Sequence, residues 1–404
     1  MSSRLAAYAI CIHYPRRLLA RHISTQSSIN SGYALRAKPI LRVTPASLSK
    51  LDFSARAEPF VVSCTPIGNG TPELSRTSIP NQAASMRGLE LLQALRSASD
   101  RLIELELGRY DVRGPGAFDR IEIPLGHYVE WLERSKSGCI EGKQVYLAQW
   151  RGADEIPELR RLVRPPHVLE KLIEAGEVDL YQTSFFIGPA GAVSVLTLVS
   201  ALQGYASDGS VPVAALTLVT PIHHDPYANV YHLQASSAPC TYGKHFVLFP
   251  PSMSEHLTSP RSVQPNTSSL DLRLVPHPRG IVERAGTSDD AYIPTNKVAD
   301  EHISSLSHTP APMFLEETTE TEHDPFSILV PLSTVTTATV PSSSTIGALS
   351  TYALSCILHE GETLYIPRSW WHRVENVVLP GSAPTTVTAG WTAGVGWWFL
   401  PRSN

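Results

Sequence analysis

The stretch PIHHDPYANVY, residues 221–231, sets two histidines and an aspartate side by side just ahead of a proline. Side chains along a strand alternate between faces, so His223 and Asp225 point together and His224 points away. An imidazole and a carboxylate from one strand, joined by a second imidazole from elsewhere, make a two-histidine, one-carboxylate triad. Such a triad leaves one face of an octahedral metal open and suits Fe(II) that must bind further ligands. The HxD pair alone is a weak signal, since chance supplies about 0.5 of them in a chain of this composition. A second stretch, HEGETLYIPRSWWHRVEN at 359–376, strengthens it: a glycine turn, a short apolar strand, a proline and two tryptophans lead directly to His372.

The chain around these stretches has 404 residues, 42% hydrophobic and 17% charged, which suits one large globular domain or two ordinary ones. A net charge of -4 carries no sign of a general nucleic-acid binder. The five cysteines are scattered, odd in number and without a CxxC, which argues against a disulfide framework or structural zinc and for a reducing compartment. No run of 18 apolar residues suggests a membrane span. From Met1 to Lys50 the chain carries Arg4, Arg16, Arg17, Arg21, Arg36, Lys38, Arg42 and Lys50 and no acid before Asp52. Residues 1–35 therefore read as a mitochondrial-type presequence or a disordered basic tail, with a cytoplasmic location as the alternative.

Leucine spacing over 84–108 predicts a helix running into a strand, and 125–135 predicts an amphipathic helix. KQVYLAQW at 143–150 reads as a strand with Val145, Leu147 and Gln149 on one face and Tyr146, Ala148 and Trp150 on the other. Short helices broken by Pro165 and Pro166 follow, then a strand from Leu180 ended by a Gly-Pro turn. Beyond it, short strands alternate with polar segments near 252–326 and 332–349, read as long insertions. The segment 194–220 holds LTLVS and then LTLVT, and reads as a hairpin insertion, a local duplication or translated intron. Helices first and many short strands later give an α+β class with a β-barrel or sandwich core.

The residues GETLYIPRSWWHRVEN resemble the last-ligand strand of the JmjC hydroxylases, the cupin-like Fe(II)/2-oxoglutarate-dependent oxygenases, and TPIHHDPYANVY resembles their metal strand. ARAEPFVVSC at 55–64 is similar to the strand that opens these domains. The resemblance spans about residues 50–400. It implies a double-stranded β-helix (cupin, jelly-roll) core over 181–404, with a helical and strand part over 50–180 packed on it. It implies metal ligands His223, Asp225 and His372, which would also be the catalytic set, with Fe(II) as the metal and 2-oxoglutarate as co-substrate. Lys244 in YGKHFVLFPP resembles the lysine that binds the far carboxylate of the co-substrate. Thr220, Asn229 and Tyr146 resemble residues that contact it. The strand TVTAGWTAGVGWWF at 386–399 departs from the family it otherwise resembles, many of whose members have an asparagine or serine near an N-F-W strand.

That resemblance implies hydroxylation of a protein side chain, with hydroxylation of a tRNA base as the alternative and no DNA partner. Two further readings remain open: a catalytically idle cupin-like binding protein, and a metal-dependent hydrolase, which would not need Lys244.

Overall fold

The computed structural model describes residues 32–48, 58–63, 80–108, 118–135, 139–140, 143–190, 219–258, 266–268, 270, 272–276, 326–331, 343–379 and 390–402. Its N-terminal half contains β1 (Gly32–Leu35), β2 (Lys38–Pro39), β3 (Leu41–Val43), α1 (Pro45–Leu48), β4 (Phe60–Val62), α2 (Pro80–Arg96), β5 (Leu102–Gly108) and β6 (Phe118–Pro124). Then come α3 (Leu125–Arg134), β7 (Cys139–Ile140), β8 (Lys143–Trp150), α4 (Gly152–Glu155), α5 (Pro157–Leu162), α6 (His167–Glu174) and β9 (Val178–Ala190). The second half holds β10 (Val219–His224), β11 (Ala228–Ser236), β12 (Tyr242–Phe249), α7 (Ser254–Leu257), β13 (Arg273–Pro276), β14 (Phe326–Pro331) and α8 (Ser343–Tyr352). It closes with β15 (Leu354–Leu358), β16 (Thr363–Ile366), β17 (Trp371–Val378) and β18 (Gly390–Pro401).

Two sheets make the jelly roll. The smaller runs β10-β17-β12-β15-β2, and the larger runs β3-β4-β16-β11-β18-β9-β8-β5-β6. Strict alternation sorts the side chains into layers. Leu233, Phe246, Leu248, Leu364 and Ile366 fill the space between the sheets. On the outer face of the larger sheet, Val230, Tyr365, Val395 and Trp397 pack against Leu91 and Leu95 of α2 and Leu132 of α3. On the outer face of the smaller sheet, Val247, Phe249 and Trp371 pack against Ile328 of β14 and Leu349 of α8. The central strands β12 and β18 are therefore buried on both faces, whereas β5 alternates exposed and buried residues towards the sheet edge.

Several expectations need correction. Gly32–Leu35, assigned to the tail, is a strand paired with β14, and buried Leu35 and Ile40 tie this segment to the sheets. The strand β9 runs through Gly188-Pro189 rather than ending there; Pro189 lies past Ile187, the last β9 residue in register with β8, so its missing N–H leaves no ladder bond broken. The β8 alternation holds to Ala148 and then fails. A bulge follows Leu147, Gln149 takes φ 51°, and Trp150 lands in the core with Val145 and Leu147. The polar segments at 252–326 and 332–349 contain α7, β13 and most of α8, and Leu257 of α7, Leu272 just before β13 and Leu349 of α8 are buried. Residues 1–31 and 191–218 lie outside the described residues, and with them the targeting and repeat readings. Among the described residues no helix is long and apolar enough to cross a membrane.

Candidate metal centre

Strand β10 lies antiparallel to β17 and brings His223 directly opposite His372. Their ring centroids are 4.2 Å apart, and with Asp225 at the end of β10 all three side chains offer ligand atoms within 4.8 Å of one another. His224 faces the other way, with its ring edge on Trp371 at 4.5 Å. Both facing imidazoles are oriented by backbone: Nδ1 of His223 lies 2.8 Å from the Pro221 carbonyl and Nδ1 of His372 lies 3.1 Å from that of Trp370. A carbonyl only accepts, so each Nδ1 carries a proton and each Nε2 is the nitrogen left for a metal.

The electrostatics favour a cation. Burial presses the Asp225 carboxyl upward, but His372, His223 and a hydrogen bond from Trp398 outweigh it and hold the group below the ordinary carboxylate value. Burial, reinforced by His223 and opposed by Asp225, lowers the His372 imidazole to about 4, so at neutral pH it is an uncharged donor. Two imidazole nitrogens and one carboxylate at this spacing are a donor set for a first-row divalent metal.

The cluster opens on a cavity of about 300 Å³ between the two sheets. Thr220 lines it because of a β-bulge. Thr220 pairs with Val374 and His223 with His372, so two β10 residues oppose one on β17 and residues three apart share a face. Asn229, Tyr231 and Tyr146 line the wall opposite, with the Asn229 Oδ1 and the Tyr231 hydroxyl buried and unpartnered. Gly394 makes this possible, since a Cβ there would stand 1.8 Å from the Tyr231 hydroxyl. Lys244 on β12 is 1% exposed, its ammonium 5.2 Å from the Tyr231 ring and 5.7 Å from that of Tyr146. No carboxylate among the described residues pairs with it, and burial lowers it to about 7. A buried ammonium without a carboxylate partner among the described residues, near the unpartnered Tyr231 hydroxyl, fits an anionic, oxygen-rich ligand.

Six of the seven residues singled out in the sequence line one cavity, and the seventh, Lys244, lies behind the Tyr231 and Tyr146 rings of its wall. Others there escaped the sequence reading. Trp398 donates Nε1–H to Asp225 Oδ2 at 2.9 Å, from the strand that departs from the family pattern. Its signal was present: in GVGWWF, Gly394, Gly396 and Trp398 alternate with core residues Val395, Trp397 and Phe399. Asn376, next to the last ligand strand's end, is spent on structure, donating to the Pro189 carbonyl and accepting from Thr392. Glu106, Arg120 and Gln149 form an outer wall, where burial raises the Glu106 carboxyl against the pull of Arg120. Asn266 and Thr267 also line the cavity. The Asn266 carbonyl accepts from the His224 N–H at 3.0 Å, and Thr267 bridges to His223. Nothing in the serine-rich segment marks them as such.

No curated protein matches the chain. The family model described as a Cupin-like domain matches residues 117–404, which takes in every cavity strand from β6 to β18. The chain belongs to the Cupin-like domain family.

Proposed function

We propose that this protein is an Fe(II)/2-oxoglutarate-dependent oxygenase that hydroxylates a protein side chain. The observation that carries the reading is a single cavity with two distinct ends. At one end His223, Asp225 and His372 converge. At the other, Lys244 lies buried behind the cavity-lining rings of Tyr231 and Tyr146, without a carboxylate partner among the described residues and near the unpartnered Tyr231 hydroxyl. A hydrolase of the same ligand set has no use for that second end, and an idle binding protein has no reason to bury an unpaired cation.

The three ligands would hold the metal, with their Nδ1–H bonds fixing both imidazoles. Bound there with 2-oxoglutarate, Fe(II) supplies the conversion of a substrate C–H to C–OH by O2, the co-substrate leaving as succinate and CO2. Lys244 would neutralise the far carboxylate, with Tyr231 donating to it. Thr220 and Asn229 would orient the rest of the co-substrate. Phe246, Ile366 and Phe186 make the cavity floor apolar and keep water from the reacting end. The outer wall of Glu106, Arg120 and Gln149 is where a substrate segment would meet the protein. A charge of -4 favours a polypeptide over RNA as that segment. The basic leader suits a mitochondrial setting.

The test is succinate formation from 2-oxoglutarate by purified protein with Fe(II), in air and under nitrogen, beside His372→Ala. Turnover needing oxygen and iron and lost in the variant supports the reading. Absence both of turnover and of 2-oxoglutarate binding to metal-loaded protein would overturn it.

A further inference from the structure

Asp225 sits where β10 has ended and nothing in the strand ladder holds its carboxylate, yet a metal ligand must present one fixed oxygen. Its backbone is held first. The Ser369 N–H donates to the Asp225 carbonyl at 3.1 Å, from a turn in which Ser369 takes φ 65°. The next turn is held second. Opposite Trp398 the β9 strand bulges at Tyr181, since Trp398 pairs with Gln182 and Phe399 with Leu180. The displaced Tyr181 ring stacks on Tyr227 at 4.3 Å and 12°. With backbone and turn pinned, rotation of the Asp225 side chain about its own two bonds is the freedom that remains.

Trp398 removes it. Its Nε1–H reaches Asp225 Oδ2 at 2.9 Å, and the same oxygen lies 3.8 Å from His372 Nε2. The indole has no slack, being 7% exposed and packed against Phe186 at 5.6 Å. Gly396 lies beside it, where a Cβ would make ordinary contact with the ring at 3.5 Å. A buried indole N–H requires an acceptor, and a ligating carboxylate requires a donor on the lone pairs the metal does not use. The hydrogen bond meets both needs.

We propose that Trp398 is the positioning residue of the metal centre, orienting Asp225 for one-oxygen ligation. This rests on the metal-centre reading given above but not on the identity of co-substrate or substrate. It assigns a role to the strand that departs from the family pattern.

The experiment titrates the full chain with Co(II) alone, following the visible ligand-field bands and the heat of binding. Trp398→Phe keeps an aromatic ring and loses the N–H. Trp397→Phe, on the core face of the same strand, controls for packing. Trp398→Phe should fold, bind Co(II) roughly 10–100-fold more weakly and show altered bands, while Trp397→Phe keeps the wild-type affinity and spectrum. Wild-type affinity and bands in Trp398→Phe would overturn the proposal and leave the metal centre standing. If the wild type itself takes up no Co(II), the metal centre and the proposal fall together. Should Trp398→Phe not fold, Asp225→Ala carries the test from the other side: one indole N–H resonance must move upfield, and an unchanged set of indole resonances overturns the proposal.

Discussion

His223 faces His372 across the β10–β17 ladder at a ring separation of 4.2 Å, one step past a bulge that turns Thr220 toward the same cavity. Either imidazole alone is an ordinary strand residue; opposed across the ladder, they are two thirds of a metal site. Removing one should therefore abolish metal-linked stability rather than the fold. In wild type, saturating Co(II) should raise the unfolding free energy by about 2.7 kcal/mol at a hundred times its dissociation constant. His223→Ala and His372→Ala should melt cooperatively and show no such rise. Thermal melts with and without metal would check this, and a full metal-induced rise in either variant would remove that residue from the ligand set.

Lys244, buried against the tyrosines of the cavity wall, is a costly residue for the fold. Replacing it with methionine preserves chain length and removes a buried charge, so Lys244→Met should be more stable than wild type near pH 7, by on the order of 1–3 kcal/mol. The same change should weaken 2-oxoglutarate binding to Mn(II)-loaded protein at least about tenfold. Calorimetry measures both. Unchanged co-substrate affinity would place the dicarboxylate elsewhere.

The pH dependence follows from the same group. Its ordinary value is 10.5 and burial lowers it to about 7 in the folded protein. Between those values the unfolded chain holds a proton that the folded chain lacks, so this contribution makes stability climb with pH. Below about 7 both states are protonated and the cost of the buried charge is full. The advantage of Lys244→Met over wild type should shrink steadily as denaturation is repeated at rising pH through this window. A constant difference would show that the lysine is not titrating there. A dicarboxylate should reverse the shift, so its binding above pH 7 takes up a proton, visible as a heat that depends on buffer ionisation.

Gly394 is a test of how tightly the inner wall is built. A methyl group there would stand 1.8 Å from the Tyr231 hydroxyl and 2.2 Å from its ring carbon. Gly394→Ala should cost about 1–3 kcal/mol and displace Tyr231 from the cavity, weakening co-substrate binding alongside stability. Gly347, whose Cβ would meet nothing within 4 Å, is the control: Gly347→Ala on α8 should be neutral or mildly stabilising. Equal melting temperatures for the two variants would contradict the packing.

Much of the site was legible because strand alternation is local. Two-residue periodicity alone separates His223 and Asp225 from His224, Lys244 from Val247, and His372 from Trp371, and each pair does fall on opposite faces. Where alternation broke, the reading broke with it. Gln149 left its expected face because a bulge gave it φ 51° and put Trp150 in the core. The segment holding Asn266 and Thr267 looked like a polar insertion because its pairing to β10 leaves no period in its own composition.

The sequence by itself determined the chemical cast: two histidines and an aspartate in strand contexts, one lysine a strand later, and glycines alternating with aromatics near the end. Only the tertiary structure decided their convergence. The bulges at Pro221–Ile222, Gln149 and Tyr181, the Thr267 bridge and the bond from Trp398 to Asp225 all depend on cross-strand register between segments far apart in the chain. Register is set by pairing hydrogen bonds and by which faces are buried, and a one-residue slip sends every side chain to the other face. A single chain read in order carries the faces of each strand but not the offset between them.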